Sequence, residues 1–403
     1  MVFPSTRPLA VGLACAAAAS SLLLAGAEAS PAPRPAQRTA AAPGPVPGPL
    51  NAITDVPGIL VGQVQSTRPP YLTGSTVLYT PDQPLAGVSV RGGSPGTWTT
   101  DTLAPTSANP GVDAIVLTGG SDWGMDVAVG AMHWLEDHKD ITVPIVPGAV
   151  IWDIGRGGSD RARPTASWGY RAMQEAKGGP VRQGTVGAGT GALTALGTLK
   201  GGVGTASSVL DDGTVVGAVV VVNALGSTVD PKDCTLLGAA LGIGGEFAGL
   251  RPPTPAQCKA FTRSLRAGSR GAARNTTIAI VATSAAMQNG ALTRMASSAQ
   301  DGLARAMIPS HTLSDGDTVF SVATGTGRQL SNDNGDDLAE LTRIDAVAAD
   351  TLSRAVAHAM LAATSVRTYK SYCDTFPSAC AHLRREPSRT APRGGTRSPH
   401  GLG

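Results

Sequence analysis

Aromatic side chains make up only 4% of this chain and charged ones 15%. With so few rings, the core has to be assembled from Ala, Val and Gly, and 51 glycines with 30 prolines describe a loop-rich protein. The six histidines are scattered. They form no Ser/His/Asp grouping and no His-x-x-x-His pair, so a serine-protease triad and a helical zinc site both lack their residues. The Gly-rich stretch 184–191 is not followed by Gly-Lys-Ser/Thr, which excludes a P-loop. A net charge of +3 is small and unevenly placed, because Arg384, Arg385, Arg389, Arg393 and Arg397 lie in the last twenty residues. That end reads as a disordered tail. It has no aromatic interleaving, so a nucleic-acid partner is not expected. Beyond the amino terminus no segment is long and uncharged enough to span a membrane. No metal and no cofactor is expected.

The amino terminus reads as an export signal: Arg7, an apolar run over residues 9–25, and Ala27-Glu28-Ala29 as an A-x-A cleavage site. Residues 1–29 are therefore expected to be removed, leaving a secreted protein with a flexible Pro/Ala-rich leader over 30–50. Loss of Cys15 leaves four cysteines in an oxidising compartment. The local pairings Cys234–Cys258 and Cys373–Cys380 each close a short loop; other pairings and four free buried thiols stay open. The rest of the 403-residue chain divides into a domain over 51–370 and a Cys-containing, Arg-rich tail over 371–403.

Within the domain, residues 59–64, 75–79, 87–90, 115–117 and 144–151 read as strands between Pro/Gly turns. Residues 215–222 form a continuous apolar run suited to burial between layers. Helical spacing appears after Ser121 or Asp122, over 165–176, over 292–307 and over 344–363, with a further strand at 318–323. On alternation alone a doubly wound sheet is possible.

One stretch stands apart. A Gly/Arg/Ser-rich segment, 266–274, meets a strand that starts at Thr277, placing Asn275-Thr276 at the strand's mouth. A hydroxyl there can attack the carbonyl before it, and hydrolysis of the resulting ester leaves Thr276 with a free α-amine. With a pKa near ~8, that amine serves as base to its own hydroxyl. On the dipeptide alone an ordinary turn is the commoner meaning. Other polar residues stand out too. Lys200 follows the Gly-rich loop, in a mature chain poor in lysine. Asn223 ends the apolar run, where a buried amide needs partners. Asp315 and Asp317 flank one glycine just before a strand, too few oxygens for a calcium loop.

The chain resembles the L-aminopeptidase/D-esterase, β-peptidyl aminopeptidase and nylon-oligomer hydrolase family over roughly residues 51–368. The resemblance rests on Thr54-Asp55-Val56-Pro57-Gly58-Ile59-Leu60-Val61-Gly62, Val90-Arg91-Gly92-Gly93-Ser94-Pro95-Gly96-Thr97 and Leu117-Thr118-Gly119-Gly120-Ser121. It continues in Gly184-Thr185-Val186-Gly187-Ala188-Gly189-Thr190-Gly191-Ala192, in Val220-Val221-Val222-Asn223 and at Asn275-Thr276. It implies an α/β fold, a four-layer α/β/β/α sandwich, in one domain cut into two chains (51–275 and 276–370). It also implies a self-processing N-terminal-nucleophile amidase acting on small peptides or amino-acid oligomers. Thr276 is then the nucleophile, Lys200 reaches its hydroxyl, and the Asn223 amide is an oxyanion-hole donor. Asp315 and Asp317 are expected to hold the Thr276 ammonium and Lys200. A threonine nucleophile with this Asp pair tilts toward the nylon-hydrolase branch. Trp152 stands where the family has a tyrosine, which changes what can orient substrate. The family's habit of oligomerising implies a tetramer of cleaved heterodimers. Two other readings share the scaffold: an acyltransferase of the ornithine acetyltransferase type, and an exported binding protein whose site has decayed.

Overall fold

The structure is a computed structural model and describes residues 44–108, 111–268 and 275–383. The expected signal peptide, most of the leader, residues 269–274 of the segment before Thr276, and the arginine-rich end from 384 lie outside them. In chain order the main elements are β1 (Leu60–Ser66), β2 (Thr73–Tyr79), β3 (Leu85–Val90), β4 (Thr97–Trp98), β5 (Ala114–Thr118) and α1 (Asp126–Lys139). Then come β6 (Gly148–Val150), α2 (Ala166–Glu175), β7 (Leu193–Thr194), β8 (Leu199–Lys200), β9 (Gly202–Val209) and β10 (Val215–Val222). The last are α3 (Pro255–Gly268), β11 (Ile278–Thr283), α4 (Asn289–Ala306), β12 (Thr318–Ala323), α5 (Leu338–Ala362), α6 (Tyr372–Thr375) and α7 (Pro377–Cys380).

Two five-stranded sheets form, ordered β1-β2-β5-β6-β4 and β3-β12-β11-β10-β9, and β7 pairs with β8 beside them. Side-chain alternation explains why the strands read as continuous apolar runs: both faces of each sheet are covered. Val219 and Val221 of β10, Ile278 and Ile280 of β11, and Phe320 of β12 meet Leu78, Ile115 and Leu117 of the other sheet in one buried cluster. Their neighbours Ala218, Val220, Ala279, Val281 and Val319 point the other way, onto Leu292, Met295, Leu352 and Val356 of α4 and α5. On the outer face of the first sheet, Val77, Tyr79, Ala114 and Val116 pack against Val127, Ala131, Leu135 and Met173 of α1 and α2. The order of layers is helix, sheet, sheet, helix: the expected α/β/β/α sandwich rather than a doubly wound sheet. Small residues allow the close approach of layers; a Cβ on Gly62 of β1 would lie 1.8 Å from the Ala172 carbonyl of α2.

Several boundaries differ from the sequence reading. The turn after Thr118 is a 3-10 segment, Ser121–Met125, so α1 starts at Asp126 and neither Ser121 nor Asp122 caps it. The run 144–151 keeps only three residues as strand, since Pro144 and Pro147 cannot donate to a ladder. Helix α3 extends through Gly268, so the first residues of the loop expected from Arg266 are helical instead. The leader joins the domain before residue 51: Val46 pairs with Val209 of β9, and the Gly48 N–H donates to Ser207 Oγ at 3.1 Å. At the other end, Tyr372, Phe376 and Ala379 are fully buried, so residues 371–383 belong to the core rather than to a tail. Both disulfides, Cys234–Cys258 and Cys373–Cys380, are formed as the local pairings anticipated. Among the described residues no helix is long and apolar enough to cross a membrane.

A buried ion pair on α5 also holds the segment at Asn51. Arg354, 1% exposed, donates through Nε and Nη2 to Glu246, which is 6% exposed, and through Nη2 to Asn51 Oδ1 at 2.8 Å. His358 Nε2 lies 2.7 Å from the same carboxylate. Burial alone would raise the Glu246 pKa, but the His358 and Arg354 bonds win and hold it well below the usual carboxylate range.

Candidate active site

Strand register brings the expected nucleophile to its neighbours. Antiparallel pairing of β10 and β11 sets Val221 against Ile278, so two residues further out Asn223 faces Thr276. On the other side β11 runs parallel to β12, with Ile278 against Thr318, which sets Gly316 and Asp317 beside Thr276 and Thr277. The bonds follow. The Thr276 N–H donates to the Asn223 carbonyl at 2.7 Å, and the Thr277 N–H donates to Asp317 Oδ1 at 2.8 Å. The Thr276 hydroxyl donates to the Asn275 carbonyl, the group its oxygen would have to attack. Thr276 is 5% and Asn275 3% exposed. They sit at the base of a cleft of about 450 Å³ lined by Ser94, Ser121, Asp122, Trp152 and Ser314 among others. Gly316 is required here by close approach: a Cβ on it would lie 2.6 Å from the Ser94 carbonyl and 3.0 Å from Thr276 Oγ1.

Asn223 is fully buried and its side-chain oxygen has two donors. Oδ1 accepts from Arg156 Nη1 at 2.5 Å and from the Leu193 N–H at 2.9 Å, while Nδ2 lies 3.4 Å from the Trp152 carbonyl. The amide expected as oxyanion donor thus belongs to the residue whose backbone carbonyl holds Thr276 N. Trp152, half-buried, lines the same cleft.

Lys200 does not reach the Thr276 hydroxyl. It is completely buried and its three ammonium protons go to the carbonyls of Gly189 (2.8 Å), Ala192 (2.9 Å) and Gly201 (2.8 Å). The tight turn between β7 and β8 folds the Gly-rich loop over the ammonium, and carbonyl oxygens take the place of water. Burial, with Arg156 adding to it against Asp153, pushes the Lys200 pKa well below its ordinary value. The Asp pair is likewise occupied elsewhere. Asp315 accepts from the Leu225 N–H (3.0 Å) and Thr312 Oγ1 (2.5 Å). Asp317 accepts from Thr277 and, through Oδ2, from the His311 N–H (3.0 Å) and Nδ1 (2.9 Å). Neither holds Lys200 or Thr276 N. In an uncut chain Thr276 N carries a single proton, and Asn223 takes it. Burial, then the Asp317 charge, raises the Asp315 pKa.

Residues that the sequence reading did not single out complete the site. Arg156 also donates to the Gly191 carbonyl at 2.7 Å. Burial brings its pKa down to about 10, against the opposing pull of Asp153, so it stays charged at neutral pH. Asp153, 3% exposed, accepts from the Gly120 N–H at 2.8 Å. Its carboxyl is pushed up to about 6 by burial, opposed first by the Thr73 hydroxyl and then by the charge of Arg156. His311 braces Asp317. The available signal was the pair of charges in Trp152-Asp153-Ile154-Gly155-Arg156, directly after a buried strand where water is scarce.

The chain matches the family model described as peptidase family S58 over residues 51–373. It is 44% identical over 355 residues to an uncharacterized aminopeptidase of Mycobacterium leprae (strain TN), covering 82% of this chain and 96% of the relative. A 6-aminohexanoate-oligomer endohydrolase of Paenarthrobacter ureafaciens is 29% identical over 285 residues, 67% of this chain and 74% of the relative. In fold, a Burkholderia sp. beta-aminopeptidase superposes with a TM-score of 0.62 at 23% identity, covering 85% of this chain and 97% of that one. The L-aminopeptidase D-Ala-esterase/amidase of Ochrobactrum anthropi, described as a variant of the Ntn hydrolase fold, gives 0.59 at 22% identity over 82% of this chain and 93% of its own. A model match across the whole folded domain, with that fold beneath it, makes this chain a member of peptidase family S58 and a hydrolase of peptide or amide bonds.

Proposed function

We propose that this hydrolase is exported, cuts itself between Asn275 and Thr276, and uses the new amino-terminal threonine to hydrolyse small peptides or amino-acid oligomers. The observation that carries the reading is the Thr276 hydroxyl seated on the Asn275 carbonyl, with its own N–H pinned by Asn223. In the first step Thr276 Oγ bonds to the Asn275 carbonyl carbon, the C–N bond breaks, and the nitrogen takes the hydroxyl proton. Water then hydrolyses the ester, leaving an Asn275 carboxylate and a Thr276 α-amine. In turnover that amine takes the hydroxyl proton as Oγ attacks the substrate carbonyl, and it passes the proton to the leaving amine. Asn223 Nδ2 donates to the oxygen on which charge develops, and water releases the acyl group.

Lys200 acts in this scheme by holding the Gly189–Gly201 loop around Asn223, and Asp317 by clamping the Thr277 N–H and so the strand mouth. The cleft's free carboxylate, Asp122, suits substrates that carry an amine. The names of the relatives point to aminoacyl peptides and to 6-aminohexanoate oligomers as the two substrate classes to compare. Export is supported by two disulfides in a chain whose first residues read as a signal. Assembly into an oligomer of cut heterodimers remains part of the proposal, with Trp123 and Leu313 as large exposed apolar side chains near the cleft.

The test is hydrolysis of aminoacyl p-nitroanilides and of the linear 6-aminohexanoate dimer by wild type and by Thr276→Ala. Turnover by wild type of at least one, and none by the variant, is expected. Equal turnover by both removes Thr276 from the mechanism.

A further inference from the structure

We propose that Arg156 is a positioning residue that fixes which way the Asn223 side-chain amide faces, and so aims its NH2 at the reacting carbonyl. This rests on the proposed role of Asn223 as oxyanion donor. Two groups meet at Asn223 Oδ1, Arg156 Nη1 at 2.5 Å and the Leu193 N–H at 2.9 Å. Both only donate, so only an oxygen fits between them. Turning the amide over would set its NH2 against a guanidinium and an N–H, leaving buried donors without acceptors, which is costly where Asn223 has no exposure. The NH2 is thereby directed to the opposite side, toward the Trp152 carbonyl, and Trp152 lines the Thr276 cleft.

Arg156 is itself held. The same Nη1 donates to the Gly191 carbonyl at 2.7 Å, which ties the guanidinium to the Gly-rich loop that also encloses Lys200. The Asp153 carboxyl beside it favours the charged form. A cation on the amide oxygen also draws electron density from the NH2 and strengthens it as a donor. Leu193 alone could keep Oδ1 in place but would supply no charge. A lysine is shorter, has no planar fork and would reproduce the contact only in part.

The experiment uses full-length protein with 15N-labelled asparagine. The Asn223 side-chain NH2 signals are assigned by their loss in Asn223→Asp. Arg156→Ala and Arg156→Lys are compared with wild type in those signals, in the rate of self-cleavage, and in kcat and KM for the amide that wild type hydrolyses. In Arg156→Ala the Asn223 pair should shift or split into two orientations. Self-cleavage and kcat should fall about 10–100-fold, a part of what loss of one oxyanion donor costs, with KM within about twofold. Arg156→Lys should recover part of both, and added guanidinium should partly restore Arg156→Ala. An unmoved Asn223 pair in Arg156→Ala overturns the proposal, as does a loss confined to KM. Should wild type hydrolyse no amide, the proposed function fails, while the Asn223 signals still decide the role of Arg156. If Arg156→Ala does not fold, an Asn223 pair and kcat in Arg156→Lys equal to wild type overturn it instead.

Discussion

The carbonyl oxygen of Asn223 accepts the Thr276 N–H at 2.7 Å, as the continuation of the β10–β11 ladder beyond its last strand pair. One residue thus contributes twice, gripping the Thr276 nitrogen with its backbone and presenting an amide with its side chain. After the proposed cut, that nitrogen becomes an amine still facing an acceptor, so the base is held where its own hydroxyl can use it. The strand register, set by apolar residues far from the cleft, is what delivers the two residues to each other.

Gly316 lies on the opposite side of Thr276, and its missing Cβ is the space the hydroxyl occupies. Gly316→Ala should leave the fold intact and slow self-cleavage at least tenfold, since a methyl 3.0 Å from Oγ1 and 2.6 Å from the Ser94 carbonyl displaces one or the other. Time courses of the precursor band on denaturing gels check this. Cleavage at the wild-type rate would mean that the hydroxyl does not act from this position.

Asp317 accepts from the Thr277 and His311 backbone N–H groups and from the His311 ring. Asp317→Asn turns one of its acceptors into a donor facing donors, which costs about 1–3 kcal/mol. The variant is expected to unfold at lower urea concentration and to accumulate uncut chain. Unfolding at the wild-type midpoint would show that these bonds are not the clamp.

The side chains of Arg354 and Glu246 are buried together, so removing one leaves the other charge largely shielded from water and unpaired. Arg354→Met should cost about 3–5 kcal/mol in urea unfolding and loosen the segment at Asn51. Because the folded-state pKa of Glu246 lies below its ordinary value of 4.5, its contribution is present above that value and is lost as pH falls below it. Arg354→Met should therefore lose less stability than wild type on acidification. The same acid sensitivity in both would locate the loss elsewhere.

Asp153 has the opposite sign. Its folded-state pKa is raised from 3.8 to about 6, so the folded chain holds the proton more tightly and wild type loses stability as pH rises through that interval. Asp153→Asn keeps an acceptor for the Gly120 N–H and has no proton to lose. Its stability relative to wild type should rise by about 2–3 kcal/mol between about pH 4 and about pH 7. Parallel pH profiles for the two proteins would contradict a raised carboxyl there.

Much of this was legible in the residues. The runs at 215–222 and 318–323 are the strands β10 and β12 to the residue, because strands buried on both faces carry few polar residues and no charge. Asn275-Thr276, Asn223 and the Asp pair were recognisable as polar residues at strand ends, and the register joins them. The partners of Lys200 were not legible, since backbone carbonyls of a folded loop leave no mark in a sequence. Arg156 and Asp153 escaped because their importance comes from burial, and a loop rich in Gly and Arg reads as exposed. Strand β9 (Gly202–Val209), full of Gly, Ser and Thr, carried too little hydrophobic pattern to be seen, yet is almost wholly buried under α5 and Arg354.

Intact mass together with amino-terminal sequencing of the purified protein tests the nucleophile most directly. At the mean residue mass of this chain, the two pieces should weigh roughly 25 and 13 kDa, and the smaller should begin Thr-Thr-Ile-Ala. A single uncut chain in a preparation that hydrolyses amides, or a cut at any other bond, would contradict an N-terminal Thr276.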